Sequence, residues 1–175
     1  MQIKTILMDA LAIDRALKRI SHEIIENNKG VNNIVMLGIA KGGVPICDML
    51  AKNIYDIEKV EIPTAKLDIT NFRDDKIKND IKDNSAIEDM RFSLQGKDVI
   101  LCDDVLYTGR TVRAGIEAII KLGRPKSIKL AVLIDRGHRE LPIRADYVGK
   151  NVPTSREEII NVEIDKNNKS VILCQ

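Results

Sequence analysis

A run of four apolar residues, Val99 to Cys102, leads directly into two aspartates and a loop of hydroxyl and glycine residues. Apolar runs without alternation are typical of a central strand in a parallel sheet that is covered on both faces. A helical pattern follows and is ended by Gly123 and Pro125; its apolar positions on one side are Val112, Ile116, Ile119 and Ile120. This order places polar groups at the carboxyl end of a strand, where open α/β sheets bind ligands.

The loop between this strand and its helix has the groups that a phosphorylated ribose requires. Backbone N–H groups at a helix start bind a phosphate, and Thr108, Arg110 and Thr111 add donors and charge. Asp103 and Asp104 would repel that phosphate, but they suit the hydroxyls of the attached sugar or a magnesium ion. An ordinary N-cap would account for one aspartate only. The expected binding set is Asp103, Asp104, Val105, Leu106, Tyr107, Thr108, Gly109, Arg110 and Thr111.

This stretch resembles the phosphoribosyl-pyrophosphate signature of type I phosphoribosyltransferases. The apolar strand, the Asp-Asp pair and the Thr-Gly-Arg-Thr loop stand in register with that signature. The resemblance implies an α/β fold with a mainly parallel central sheet flanked by helices.

A second strand, Ile34 to Ile39, ends in a loop of small residues around one lysine. Glycine pairs mark ordinary turns as well, so this loop alone would be a weak signal. Beside the first loop, it is expected to bind a pyrophosphate. It consists of Ala40, Lys41, Gly42 and Gly43.

Asp9 is expected to cap a first helix that runs to about Asn28. Its core positions recur at helical spacing, as Ile13, Leu17, Ile20 and Ile24. A second face carries a basic stripe, for which a solvated surface is the ordinary explanation. The stripe consists of Arg15, Lys18, Arg19 and His22.

The polar and charged stretch of residues 70–83 interrupts the strand pattern. It follows a strand-like run, Val60 to Ile69, in which Pro63 favours an edge position. We interpret the stretch as a mobile loop, either a lid from which Arg73 reaches a leaving group or a plain solvent-exposed excursion. Ile128 to Ile134 then forms another buried strand.

A C-terminal hairpin is expected around the turn at Asn167 and Asn168, because apolar residues alternate on both sides of it. The expected organisation is a single domain of residues 1–175.

Composition and charge argue against several classes of protein. With 28 basic and 26 acidic residues the formal net charge is +2, so nucleic-acid binding would need a local patch. Cys47, Cys102 and Cys174 are far apart, which predicts buried thiols in a reducing compartment. Without a signal peptide or a membrane-length apolar run, a cytoplasmic protein with no membrane partner is expected.

Residues 135–155, together with the earlier Asp-Asp-Val-Leu-Tyr-Thr-Gly-Arg-Thr run, closely resemble one bacterial family. These are the pyrimidine operon attenuation regulators that are also uracil phosphoribosyltransferases. The run Arg-Ile-Ser-His-Glu-Ile in the first helix is similar to the same family.

That resemblance implies the reaction of uracil with phosphoribosyl pyrophosphate to give UMP and pyrophosphate. Mg²⁺ would be held by the substrate without direct protein ligands. Asp103 and Asp104 would orient the ribose, and the base would lie near Ile134, Asp135 and Arg136, with Arg136 counted among the catalytic residues.

The family resemblance also implies transcription attenuation through binding to pyrimidine operon mRNA, tightened by UMP or UTP. The RNA would bind a basic surface of a homodimer or higher homo-oligomer. The candidates for that surface are Arg15, Lys18, Arg19, His22, Arg139, Arg144 and Lys150.

One departure from the family concerns the pyrophosphate loop, which usually reads Thr-Arg-Gly where this chain has Lys41-Gly42-Gly43. Lysine supplies charge but lacks the bidentate fork of arginine. Two alternatives therefore stay open: an RNA-binding regulator with weak or no catalysis, and a purine-salvage transferase without RNA binding.

Overall fold

The computed structural model describes residues 3–74, 87, 90–165 and 168–175. Its three helices are α1 Ala10–Asn27, α2 Gly43–Glu58 and α3 Arg110–Leu122. Its strands are β1 Ile3–Met8, β2 Ile34–Ile39, β3 Thr64–Leu67, β4 Asp98–Leu106, β5 Ser127–Asp135, β6 Tyr147–Asn151, β7 Ile159–Ile164 and β8 Lys169–Cys174. No helix within the described residues is both long and apolar enough to cross a membrane.

Five strands form a parallel sheet in the order β3-β2-β4-β5-β6. The predicted central strand is β4, and it is longer than its apolar run. Asp103 pairs with Val132 and Val105 with Ile134, so the ladder with β5 continues through the acidic pair to Leu106. The expectation that the aspartates follow the strand was therefore wrong, because both belong to the last part of β4.

The two faces of this sheet are covered by different helices. On one face, Ile100 and Cys102 of β4 pack with the apolar residues of α1 and α2. On the other face, Val99 and Leu101 pack with α3. Successive strand residues point to opposite faces, so a strand buried on both sides must be apolar at every position.

The predicted first helix is confirmed, with the Asp9 side chain accepting a hydrogen bond from the Ala12 N–H at 2.8 Å. In α3 one predicted core position was wrong, because Ile120 is 62% exposed. Each helical residue advances by about 100°, so Ile120 lies beyond the stripe that buries Ile119.

The C-terminal hairpin is confirmed as β7 and β8, but it belongs to a second sheet that the sequence analysis missed. β1 pairs antiparallel with β8 and completes the order β1-β8-β7. β1 lacks a clean alternation, since Ile3 and Ile6 are both 65% exposed.

β3 begins directly after Pro63 and is an edge strand, as expected. Of the stretch interpreted as a mobile loop, Thr70–Phe72 is a short 3-10 helix. Arg73 and Asp74 follow it, and residues 75–83 lie outside the described part of the chain.

Candidate active site

A cavity of about 320 Å³ lies where β4 gives way to α3. Gly109, the residue before the helix, has φ +91°, a left-handed conformation that favours glycine. The cavity is lined by residues 73 and 74, by the end of β4, by the loop that follows it and by the first turn of α3: Arg73, Asp74, Asp103, Val105, Leu106, Tyr107, Thr108, Gly109, Arg110, Thr111 and Val112. Eight of the nine residues expected to bind a sugar phosphate, all except Asp104, therefore line one space together with Arg73.

The two aspartates differ in their surroundings. Asp103 is buried, and its Oδ1 accepts a hydrogen bond from the Asp104 N–H at 3.0 Å. Burial, followed by the negative charge of Asp104, raises the pKa of Asp103 well above its usual range. Asp104 is half-buried, and its Oδ1 accepts from the Val105 N–H at 2.8 Å. The more accessible acid is thus Asp104, although Asp103 is the one that lines the cavity.

The loop of residues 40–43, here called the lysine loop, contacts the end of β4 through its two glycines. A β-carbon on Gly42 would overlap the Asp104 carboxylate, and one on Gly43 would overlap the Cys102 carbonyl oxygen. Lys41 itself is exposed and joins Ala40 through a cis peptide bond. The expected pyrophosphate loop therefore lies against the Asp104 carboxylate, although it does not line the cavity described above.

Arg110, expected to bind the phosphate, makes two ion pairs. Its Nε lies 2.7 Å from Glu140 Oε2, and its Nη1 lies 2.7 Å from Asp74 Oδ2. Both acids were missed by the sequence analysis. These two ion pairs join the loop of residues 107–111, here called the phosphate loop, to the segment before residue 75 and to the segment after β5.

The Arg136 side chain is held by hydrogen bonds within the protein. Its guanidinium is buried and donates to Thr154 Oγ1 at 3.0 Å and to the carbonyls of Ser155 and Glu158 at 2.9 and 2.7 Å. Its Cζ lies 4.0 Å from the centre of the Tyr107 ring. The side chain expected to bind the base thus links the phosphate loop to the turn that leads into β7. Ile134 and Asp135, like Arg136, do not line the cavity.

Arg139 is also bound within the protein. Its guanidinium pairs with Asp135 and donates to the carbonyls of Tyr107 and Ile143 at 2.8 and 2.9 Å. Burial alone would raise the pKa of Asp135, but the hydrogen bonds from Arg139 and the Gly137 N–H, with the guanidinium charge, outweigh it and lower that pKa.

The basic stripe of α1 is exposed at all four positions, Arg15, Lys18, Arg19 and His22. Arg19 is anchored to β6, because its Nη2 donates to the carbonyls of Val148 and Gly149 at 3.0 and 2.8 Å. Lys150 lies in β6, and its Nζ donates to the Leu7 carbonyl at 3.0 Å. Arg144 is exposed in the segment that leads into β6.

The connecting side chains around the loop could not be found from motifs. Glu140, Asp74 and Thr154 carry no spacing signal, because their partners are far away in sequence. Among the described residues, no group of three or more His, Cys, Asp or Glu side chains is arranged to hold a metal ion.

Comparisons with known proteins agree with this geometry. The model of the phosphoribosyl transferase domain family matches residues 5–167. A protein of Clostridioides difficile strain 630 called bifunctional protein PyrR is 59% identical over 161 residues, covering 92% of this chain and 91% of that protein. Another, from Thermoanaerobacter sp. strain X514, is 55% identical and covers 98% of both.

Among solved structures, the hypoxanthine phosphoribosyltransferase of Trypanosoma cruzi matches with a TM-score of 0.72 at 20% identity, covering 98% of this chain and 96% of that one. That likeness shows a shared fold. Together with the domain match and the high identity to the PyrR proteins, it establishes that this chain belongs to the PyrR family of phosphoribosyl transferase domain proteins.

Proposed function

We propose that the protein is a bifunctional regulator of pyrimidine synthesis. It transfers the phosphoribosyl group of phosphoribosyl pyrophosphate to uracil, giving UMP and pyrophosphate, and it binds pyrimidine operon mRNA when a uridine nucleotide is bound. The observation that carries the proposal is the cavity at the end of β4, which Asp103 and the loop of residues 107–111 line, with Asp104 next to Asp103 and in close contact with Gly42 of the lysine loop. Identity above 50% to PyrR proteins supports the same function.

In the proposed reaction, the loop of Tyr107 to Thr111 binds the 5′-phosphate and fixes the ribose in place. Such remote binding converts affinity into correct positioning of the reacting carbon. Asp104 then stabilises the positive charge that develops on the ribose as the bond to pyrophosphate opens. Lys41 supplies positive charge to the departing pyrophosphate.

Mg²⁺ is proposed to enter with the substrate. Pyrophosphate and ribose hydroxyls are hard oxygen donors of the kind that Mg²⁺ prefers, so the substrate itself would hold the ion. When bound, the ion supplies positive charge against the leaving group.

We place the base at the carboxyl end of β5, on the side of Ile134 and Asp135. Arg136 contributes there as a positioning residue, because its guanidinium holds the turn of residues 154–158 and contacts the Tyr107 ring.

The RNA is proposed to bind the exposed cations of α1 together with Arg144 and Lys150. Several phosphate contacts from such a surface make binding dependent on salt. We propose that two copies of the chain, or more, assemble to present this surface.

The experiment has two arms. UMP formation from uracil is measured with hypoxanthine as a competing acceptor, and RNA binding is titrated with and without UMP. We expect uracil to be used in preference and UMP to tighten RNA binding. Use of hypoxanthine without RNA binding would instead identify a purine-salvage enzyme.

A second candidate, a regulator with little catalysis, is favoured by Lys41-Gly42 in place of the usual Thr-Arg. Full UMP affinity and RNA binding with negligible turnover would establish it.

A further inference from the structure

The five residues 139–143, here called the clamp segment, lie directly against the phosphate loop. Arg139 Nη1 donates to the Tyr107 carbonyl at 2.8 Å. The next two backbone N–H groups of the segment both donate to the Thr108 carbonyl, at 3.0 and 3.2 Å. Three hydrogen bonds therefore join two consecutive loop residues to three consecutive residues of the segment.

The remaining part of the loop is contacted by side chains. A β-carbon on Gly109 would lie 3.3 Å from the Ile143 Cβ, so this isoleucine packs against the glycine. Arg110 pairs with Glu140. Each loop residue from Tyr107 to Arg110 thus has a partner in the clamp segment, so a displacement of the loop would disturb these contacts.

Arg139 is the central connection. Its guanidinium donates to the carbonyls of Tyr107, Gly137 and Ile143 and to the Asp135 carboxylate. The side chain is only 23% exposed. Gly137 and His138, at φ +80° and +60°, form the left-handed turn that brings the arginine back over the loop.

The clamp segment ends where the proposed RNA surface begins. Arg144 is its next residue and is exposed. The chain then continues into β6, which carries Lys150 and accepts hydrogen bonds from Arg19. Along the chain, the segment therefore lies between the nucleotide site and two of the candidate RNA contacts, Arg144 and Lys150.

We propose that the clamp segment transmits nucleotide binding to the RNA surface, and that Arg139 is a positioning residue in this coupling and makes no contact with RNA. The inference rests on the proposed function, because it requires that UMP and RNA both bind. Coupling of this kind is a mutual free energy, so RNA must tighten UMP binding by the same factor by which UMP tightens RNA binding.

The test compares Arg139→Lys with Arg144→Gln, measuring the RNA dissociation constant with and without UMP at several salt concentrations. Lysine keeps the charge but cannot reproduce the fork of arginine. Couplings are commonly ~5–150-fold, and in R139K we expect UMP to tighten RNA binding by about twofold or less. The salt dependence of RNA binding in R139K should equal that of the original protein.

Arg144→Gln is the matched control, because it removes one exposed arginine at the end of the same segment. It should weaken RNA binding equally with and without UMP and reduce the salt slope by about 0.7, one contact's share. The inference would be overturned if UMP tightened RNA binding in R139K as much as in the original protein. It would also be overturned if Arg139→Gln kept this coupling but reduced the salt slope by one contact's share. Absence of any coupling in the original protein would refute the proposed function itself.

Hydrogen exchange on the unmodified protein provides a test that does not depend on the variants folding. UMP should slow exchange of the Glu140 and Leu141 amides by about tenfold or more, because both donate to Thr108. Exchange that RNA changes and UMP does not would contradict the proposal.

Discussion

The backbone of Gly42 packs so closely against the carboxylate of Asp104 that a β-carbon at position 42 would overlap it. The loop expected to bind pyrophosphate and the acid expected to stabilise the ribose therefore share one surface. A substitution in the loop should therefore disturb the position of the acid, and a substitution of the acid should disturb the loop.

Substitution of the two glycines should separate stability from turnover. Gly43→Ala would drive its methyl group into the Cys102 carbonyl, which is backbone and cannot rotate away, so we expect a loss of about 1–3 kcal/mol in the free energy of unfolding. Gly42→Ala meets the Asp104 side chain, which can rotate, so turnover should fall more than stability. Thermal unfolding and UMP synthesis assays check both, and equal stability losses would contradict this distinction.

Asp104→Asn should reduce turnover about 10²–10³-fold, because the amide is nearly isosteric but carries no charge for the developing ribose cation. The fold should be retained, as circular dichroism would show. Glu140→Gln is the control, since it neutralises an exposed acid near the same loop, and it should change turnover far less. Near-normal turnover in Asp104→Asn would refute the assigned role.

Asp103 should make the protein less stable as the pH rises. Its pKa in the folded state is raised by burial and by the charge of Asp104, so between the unfolded and the folded pKa the folded state binds more protons. Stability then falls as the pH increases through that window. Asp103→Asn removes the ionisation, so the variant should be more stable than the parent at neutral pH and lose this advantage in acid. Urea unfolding at several pH values measures it, and a pH-independent difference would count against this explanation.

Arg136→Met should destabilise the fold by about 2–4 kcal/mol, because Thr154 and the carbonyls of Ser155 and Glu158 would lose their donors. Arg156→Met, at an exposed position of the same turn, is the control and should change stability by less than about 0.5 kcal/mol. The free energies of unfolding of the two variants are measured and compared. Similar values for both would show that the hydrogen bonds of Arg136 do not stabilise the fold.

The sequence patterns predicted β2, β3, β4 and β5 of the parallel sheet, α1 and the terminal hairpin, because each is encoded by local periodicity, but they did not predict β6. β4 was the clearest case, since a strand buried on both faces must be apolar throughout. β1 was missed because its pairing with β8 lies more than 160 residues away and its own residues are mostly exposed.

The site was predictable in part for the same reason. Asp103, Asp104 and the loop to Thr111 follow one another in the chain, and the structure gathers most of them around one cavity. The contacts that Arg136 and Arg139 make within the protein were not predictable from residue type, because an arginine after a strand can face a ligand or the protein. Only the positions of Thr154, Ser155 and Ile143 decide between these.

The anchoring of Arg19 to the carbonyls of Val148 and Gly149 has a consequence for assembly. β6 is the last strand of the five-stranded sheet, and such an edge offers unpaired backbone groups to any extended segment of a neighbouring chain. Because the Arg19 guanidinium is bound to this strand, it hinders the approach of another strand to the edge, and with it sheet-to-sheet growth and aggregation. Copies of the chain should therefore associate through side chains rather than by extending the sheet at β6.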